Sequence, residues 1–198
     1  MDVRPVIVTA LWGISVCVGV AVMMRYEFTP GIAARAPEKL AAPSTASKGD
    51  LFLFIHPQCP CSRATIAELS RIVALSKESL HTCLYFYQPL DKPKSWCYDS
   101  ALWHEAKLIP GALLIVDSDA RIAKQFGVQC SGQVLLYGSK GHRLLFAGGI
   151  TPGRGHEGES DGEDAILEYV RTEICPIHTA PVFGCALWSD LDVKAGTL

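Results

Sequence analysis

The sequence predicts an α/β domain, a mixed sheet flanked by helices, preceded by one N-terminal transmembrane helix. Three observations lead there. Nineteen residues from Val6 to Met24, VIVTALWGISVCVGVAVMM, carry no charge and lie between Arg4 and Arg25. From Leu51 onward, short apolar runs of strand length alternate with stretches that are apolar at helical spacing. The alternation ends in two strand-like runs joined by Gly138-Ser139-Lys140-Gly141 and a last, capped helix.

The first element is the span. At about 1.5 Å rise per residue, nineteen apolar residues just cross a hydrocarbon core of about 30 Å. A cleaved signal peptide is the competing reading, but the run exceeds an ordinary apolar region. The small residues of Ala34-Arg35-Ala36 are followed at once by Pro37, a poor cleavage context. Cys17 follows Val16, where a lipoprotein signal needs a small residue. A retained single-pass anchor over residues 1–25 is therefore expected. Arg25, Arg35, Lys39 and Lys48 follow the span and mildly oppose an outward domain, although long domains translocate largely regardless of such charges. The cysteines and the linker after the span together decide for a C-terminal domain in the periplasm or another extracytoplasmic space, since eight cysteines suit an oxidising compartment.

Residues 26–50 are rich in Pro, Ala and Ser without apolar period, and read as a linker that holds a domain off the membrane. The domain is expected over 51–174 and a tail over 175–198. LFLFI (51–55) is a continuous apolar run, the mark of a strand buried on both faces. Ile66, Leu69, Ile72 and Val73 recur at helical spacing through Ser76. CLYFY (83–87) and ALLIV (112–116) are further strands, with a helix over 101–108 between them. DARIAKQF is a short helix stopped by Gly127; QVLLY and RLLFA form the hairpin. Ser160-x-x-Glu163 is a capping box that opens the helix EDAILEYVRTEI.

The chemistry concentrates in HPQCPCSRATIAEL (56–69), where Cys59-Pro60-Cys61 joins the first strand to a helix. A thiol at a helix start meets unpaired N–H groups and the positive end of the macrodipole, which favour the thiolate. Pro60 suits the first helical position, because its missing N–H would have no partner there. Cys59 is thus expected at the N-cap as the nucleophile, with His56 and Arg63 adding positive field. Cys61 is the second thiol. A disulfide closed across one proline would be strained and easily reduced. Cys130 is an alternative partner for Cys59. The bland reading, two small apolar fillers, fits poorly with a pair placed around a proline at a strand-to-helix junction.

The strand–cysteine turn–helix order and GALLIVDSDARIAKQFGV (111–128), with its D-x-D-x-x-x-A-x-x-F-G-V pattern, resemble the thioredoxin-like, membrane-anchored TlpA and ResA redoxins. The Cys-Pro-Cys motif is similar to that of a narrower RedB-like group. The resemblance covers about 51–174 and implies a thioredoxin-like sheet and thiol–disulfide exchange with protein thiols or disulfides. It also implies that Ser131 and Gly132 form the substrate-facing wall. Two departures stand out. The family's W-C-x-x-C spacing places Ser62 where its second cysteine belongs, and Gly132 stands where its cis-proline belongs. The P-x-x-x-T/S-x-x-C pattern of peroxiredoxins is not matched.

A copper reading competes. Redoxin-related copper carriers combine two cysteines at this turn with a distant histidine, and soft thiolates with imidazole suit Cu(I). Cys59, Cys61 and His156, from the glycine-rich loop 148–164, would be the ligands; otherwise no cofactor is expected. The spacing again departs, since those carriers use C-x-x-x-C. A third reading is a tethered, non-catalytic partner-binding domain. The acidic stretch 157–164 lacks a calcium-binding ladder. A net charge of −2 and no basic stripe argue against nucleic acid. Cys83 and Cys97 are expected to be buried. Cys175 and Cys185 either staple the tail as a structural disulfide, or Cys185 folds back over the active turn.

Overall fold

The computed structural model describes residues 3–32, 34–40 and 48–188. Helix α1 (Arg4–Glu27) has Pro5 in its first turn and no buried residue. Its 24 residues, with a mean hydropathy of 2.4 over the most apolar window, are long and apolar enough to cross a membrane.

Five strands form one sheet: β1 (Gly49–Ile55), β2 (Leu80–Gln88), β3 (Leu113–Ser118), β4 (Gln133–Gly138) and β5 (Leu144–Gly148), in the order β3-β2-β1-β4-β5. β1, β2 and β3 run parallel, while β4 is antiparallel to β1 and β5 to β4. The helices are α2 (Ser62–Ser76), the short α3 (Ser95–Tyr98), α4 (Ala101–Ala106), α5 (Arg121–Gln125) and α6 (Asp161–Thr172). This is the thioredoxin-like mixed sheet that the sequence predicts. α3 has no sequence signal of its own, being a single turn in the Lys/Pro-rich connection after β2.

β1 explains why its run is apolar without alternation. Leu51, Leu53 and Ile55 enter one core with Leu69 and Ile72 of α2, Trp103 of α4 and Ile166 of α6. Phe52 and Phe54, pointing the other way, join Tyr137, Ala123 and Leu187 in a second core. A central strand covered on both faces cannot spare either face for polar residues.

At α6 the Ser160 hydroxyl accepts the Glu163 N–H at 3.3 Å, the first half of the capping box. The Glu163 carboxylate turns instead to Arg71 of α2, which also meets Glu68 at 2.9 Å. Glu68 in turn accepts the Gly158 N–H at 2.6 Å, so a charged knot joins α2, α6 and the loop between β5 and α6.

The segment expected to be a tether and the C-terminal tail are both laid onto the domain. Residues 28–32 and 34–40 of the linker follow the second face as a strap. Gly31 N–H donates to Val182 O at 2.7 Å, Leu144 N–H to Glu38 O at 2.8 Å, and Leu40 N–H to His142 O at 3.0 Å. Tyr137 Oη donates to Pro37 O at 2.9 Å. Ala34, Ala36 and Leu40 pack against the second core. Small side chains let this backbone approach the sheet, and the contacts are made by main-chain groups, so no apolar period announces them. Linker residues 33 and 41–47 lie outside the described residues. The tail passes β5, where Ala147 N–H donates to His178 O at 2.9 Å, then crosses to the strap and the cysteine turn. Tail residues 189–198 lie outside the described residues.

Candidate active site

The turn after β1 begins with His56 and is closed by main-chain bonds: Cys59 N–H to His56 O at 3.0 Å and Ser62 N–H to Cys59 O at 3.1 Å. The helix boundary differs from expectation. Cys61, not Cys59, is the N-cap of α2, with φ −66° and ψ −26°, and no side chain caps the helix. Pro60 accordingly precedes the helix rather than starting it. Cys59 sits one residue before Pro60, yet its sulfur remains within reach of Ser62 at the first helical position.

Beside that turn runs the loop before β4. Ser131 is fully buried; its hydroxyl accepts the His56 N–H at 2.8 Å and shares a hydrogen bond of 2.7 Å with Ser62 Oγ. Gly132 donates its N–H to Phe54 O at 2.8 Å and holds φ +90°, a conformation that glycine adopts without penalty. A Cβ at Gly132 would also stand 3.1 Å from Thr65 Oγ1. Ser131 and Gly132 thus stand beside the cysteine turn, and this chain's own tail pairs with Ser131.

Over these residues lies the segment around Cys185. Cys130 and Ala186 form an antiparallel bridge, Ser131 N–H donates to Cys185 O at 2.8 Å, and Leu187 N–H donates to Gln129 O at 2.8 Å. Cys185 Sγ comes within 2.9 Å of Cys59 Sγ. The sulfurs of Cys59, Cys61 and Cys185 all lie within 4.8 Å of one another. The Cys175–Cys185 staple is not formed: Cys175 Sγ donates to Ile177 O at 3.1 Å, and both cysteines are free thiols. The other reading of the tail, Cys185 folded back over the active turn, describes this arrangement.

The three thiols differ electrostatically. Burial raises the Cys59 pKa, but hydrogen bonds to its sulfur from Cys185 and Ser62 outweigh burial and leave it below the usual thiol range. The Cys61 thiol is pushed up by burial and by the Cys59 charge. Cys185 is pushed up to about 12 by burial and by its contact with Cys59. Of the three thiols, Cys59 is therefore the one that ionises most easily, its thiolate favoured by donors that Cys185 and Ser62 supply.

The remaining predicted groups lie outside this cluster. Arg63 Nε pairs with Glu105 at 3.0 Å, and His56 Nδ1 accepts the Gln58 N–H at 3.2 Å. His156 Nε2 stands 3.7 Å from Glu27 at the end of α1 and is not among the three clustered ligands. Cys130 is buried beside Gly31, and burial raises its pKa to about 11. Cys83 and Cys97 are buried, as expected, with pKa values raised by burial to about 11 and about 12. Arg154, in the same loop as His156, donates to Gly184 O, to Tyr26 O at 3.1 Å and to Thr29 O at 3.0 Å. Its guanidinium carbon lies 5.0 Å from the Tyr26 ring centre. The arginine thus ties the end of the apolar helix to the segment that carries Cys185. A glycine-flanked Arg in a loop is the only signal the sequence carries for that role.

No family model matches the chain, and a search of curated proteins found no match. Among solved structures the chain is similar to an uncharacterized conserved protein from Geobacillus kaustophilus, with TM-score 0.63 and 15% identity over 82% of this chain and 98% of that one. It is also similar to a hypothetical protein from Sinorhizobium meliloti 1021, with TM-score 0.57 and 17% identity over 82% and 97%. At such identities these likenesses concern the fold. A secreted Mycobacterium tuberculosis disulfide oxidoreductase homologous to E. coli DsbE is matched at TM-score 0.43 and 15% identity over 64% and 82%, which decides nothing about chemistry here.

Proposed function

We propose that this chain is a membrane-anchored, extracytoplasmic thiol–disulfide oxidoreductase of the TlpA/ResA-like redoxins, in a Cys-Pro-Cys variant, acting on protein thiols or disulfides. The observation that carries this reading is the cluster of three cysteine sulfurs within 4.8 Å at the strand-to-helix turn. Cys59 is the attacking thiolate, held in that state by Ser62 and Cys185. Cys61 is the nearby second thiol, and Ser131, which with Gly132 forms the wall beside the turn, holds Ser62 by a hydrogen bond. A cysteine of lowered pKa set beside thiols that keep their protons can attack a disulfide and hand the bond on. Equilibrating the full-length protein with glutathione mixtures of graded potential tests this: a two-electron couple that includes Cys59 is expected. A Cys59 thiol that stays reduced across the whole range refutes the reading.

A second reading is favoured by the same cluster. Three thiolates are a donor set that suits Cu(I), which accepts low coordination numbers, and Cys185 takes the place foreseen for His156. Binding would release the protons that Cys61 and Cys185 retain. An anaerobic Cu(I) titration against a competing chelator should then show one ion per chain. Tight uptake with no measurable redox couple would put metal delivery ahead of disulfide exchange.

A further inference from the structure

We infer that the redox partner of Cys59 is Cys185, carried by a strand of this same chain that occupies the edge where a substrate strand would pair. The inference rests on the oxidoreductase reading and names the resolving thiol of its site.

The geometry is that of a docked peptide. The segment Gly184–Leu187 runs antiparallel to 129–131, bonded by Ser131 N–H to Cys185 O and Leu187 N–H to Gln129 O. It is clamped at both ends. Arg154 donates to Gly184 O on one side, and on the other Leu187 is buried while Trp188 Nε1 donates to Val128 O at 3.0 Å. The fit is specific at Gly184, where a Cβ would fall 1.7 Å from Ser131 O. A strand held this way presents one side chain to the turn, and that side chain is a thiol 2.9 Å from Cys59 Sγ. Cys61 is near as well, but it is separated from Cys59 by one proline and fixed at the N-cap of α2 in a helical backbone conformation. Bridging Cys59 to Cys61 requires closing a ring across that proline, whereas Cys185 arrives from a separate strand with no such constraint.

With the edge occupied, Cys59 is 2% exposed, and a substrate must reach it from the side away from the tail. A groove of about 210 Å³ whose lining includes Pro57, Gln58, Cys59, Arg63 and Leu102 borders the cysteine turn, and Cys61 and Cys185 are not in its lining. A substrate disulfide R–S–S–R′ meets Cys59 there. The Cys59 thiolate attacks one sulfur, the S–S bond breaks, and R′S⁻ leaves with the electron pair. The Cys185 thiol then attacks Cys59 Sγ in the mixed disulfide. The Cys59–Cys185 bond forms, RS⁻ leaves, and the Cys185 proton goes to it as RSH. The substrate disulfide is reduced by two electrons and the Cys59/Cys185 pair is oxidised by two.

The test uses full-length protein in detergent micelles. The reduced protein is treated with glutathione disulfide, quenched in acid, alkylated and mapped by mass spectrometry with fragment-ion assignment. The expected main intramolecular bridge is Cys59–Cys185, with Cys185→Ser accumulating Cys59 as a glutathione mixed disulfide. Gly184→Ala keeps every thiol but drives the strand off Ser131. It should slow closure from the mixed disulfide by about tenfold or more, because the second thiol is no longer held in place. A main bridge joining any other pair, or unchanged closure in Gly184→Ala, overturns the inference while leaving an oxidoreductase with a different resolving thiol. A Cys59 that forms neither bridge nor mixed disulfide overturns both the inference and the reading beneath it.

Discussion

The Arg154 guanidinium donates a hydrogen bond to the carbonyl of Gly184, the residue before Cys185. The same side chain bonds Tyr26 O and Thr29 O where the apolar helix ends. One cation therefore braces the strand bearing a reactive thiol against the segment leaving the membrane-length helix. Its charge also holds down the Cys61 and Cys130 thiols, opposing the burial that raises both.

Arg154→Ala should loosen both segments together. Limited proteolysis of the variant is expected to cut near residues 28–32 and 182–188 sooner than in the wild type. The alkylation midpoint of Cys61 should move up in pH, since a cation that favours its thiolate is gone. Protection of both segments at wild-type levels would show that the brace does not hold them.

Alkylation of the fully reduced protein should follow the order of the thiol environments. The reactive species is the thiolate, so a thiol of lowered pKa stays reactive to lower pH. Cys59 should be labelled first at neutral pH, and Cys61 and Cys185 more slowly, because their raised values keep them protonated. Ser62→Ala removes one donor to the Cys59 sulfur with little change in burial, so the Cys59 midpoint should rise. Faster labelling of Cys61, or a midpoint that falls in Ser62→Ala, would contradict the assignment of the charge to Cys59.

Phe146 of β5 is fully buried in the core that joins the sheet to α2 and α6. Phe146→Ala removes a ring from a packed interior and leaves a cavity, at a cost of about 3–5 kcal/mol. Urea unfolding with all cysteines reduced measures it. A loss below about 1 kcal/mol would mean that this core is not packed as described.

The side of the membrane is open to direct measurement. An alkaline phosphatase reporter fused after position 45 should be active and a cytoplasm-dependent reporter at the same site inactive. The reverse pattern would place the domain inside. Detection of the intact N-terminus in the mature protein distinguishes a retained anchor from a cleaved signal, since α1 has the length and composition for either.

The sheet and most helices were legible because their signals are local. LFLFI had to be a strand covered on both faces, and Leu51, Leu53 and Ile55 do face one core while Phe52 and Phe54 face the other. Ser160-x-x-Glu163 marked the start of α6, since a hydroxyl there has an N–H to accept. The Cys-Pro-Cys turn was legible too, as a pair of thiols at a strand-to-helix junction. Its exact helix boundary was not. Cys61 takes the N-cap position because the turn tightens through Ser62 N–H to Cys59 O, a choice of one residue that no periodicity encodes.

The third thiol lay beyond local reading. Cys59 and Cys185 are 126 residues apart, and their approach is set by main-chain bonds between the tail and the loop 129–131. Backbone pairing uses groups that every residue carries, so it leaves no composition signature. The sequence could only pose two places for Cys185, beside Cys175 or over the turn. The strap of residues 28–32 and 34–40 escaped for the same reason, its alanines and prolines reading as a tether until Glu38, Pro37 and Gly31 found main-chain and tyrosine partners. His156, by contrast, carried the right chemistry for a ligand and stands beside Glu27 instead. Local patterning determined which residues form the sheet and which turn bears the thiols. Long-range packing of two unpatterned segments decided which thiol meets Cys59.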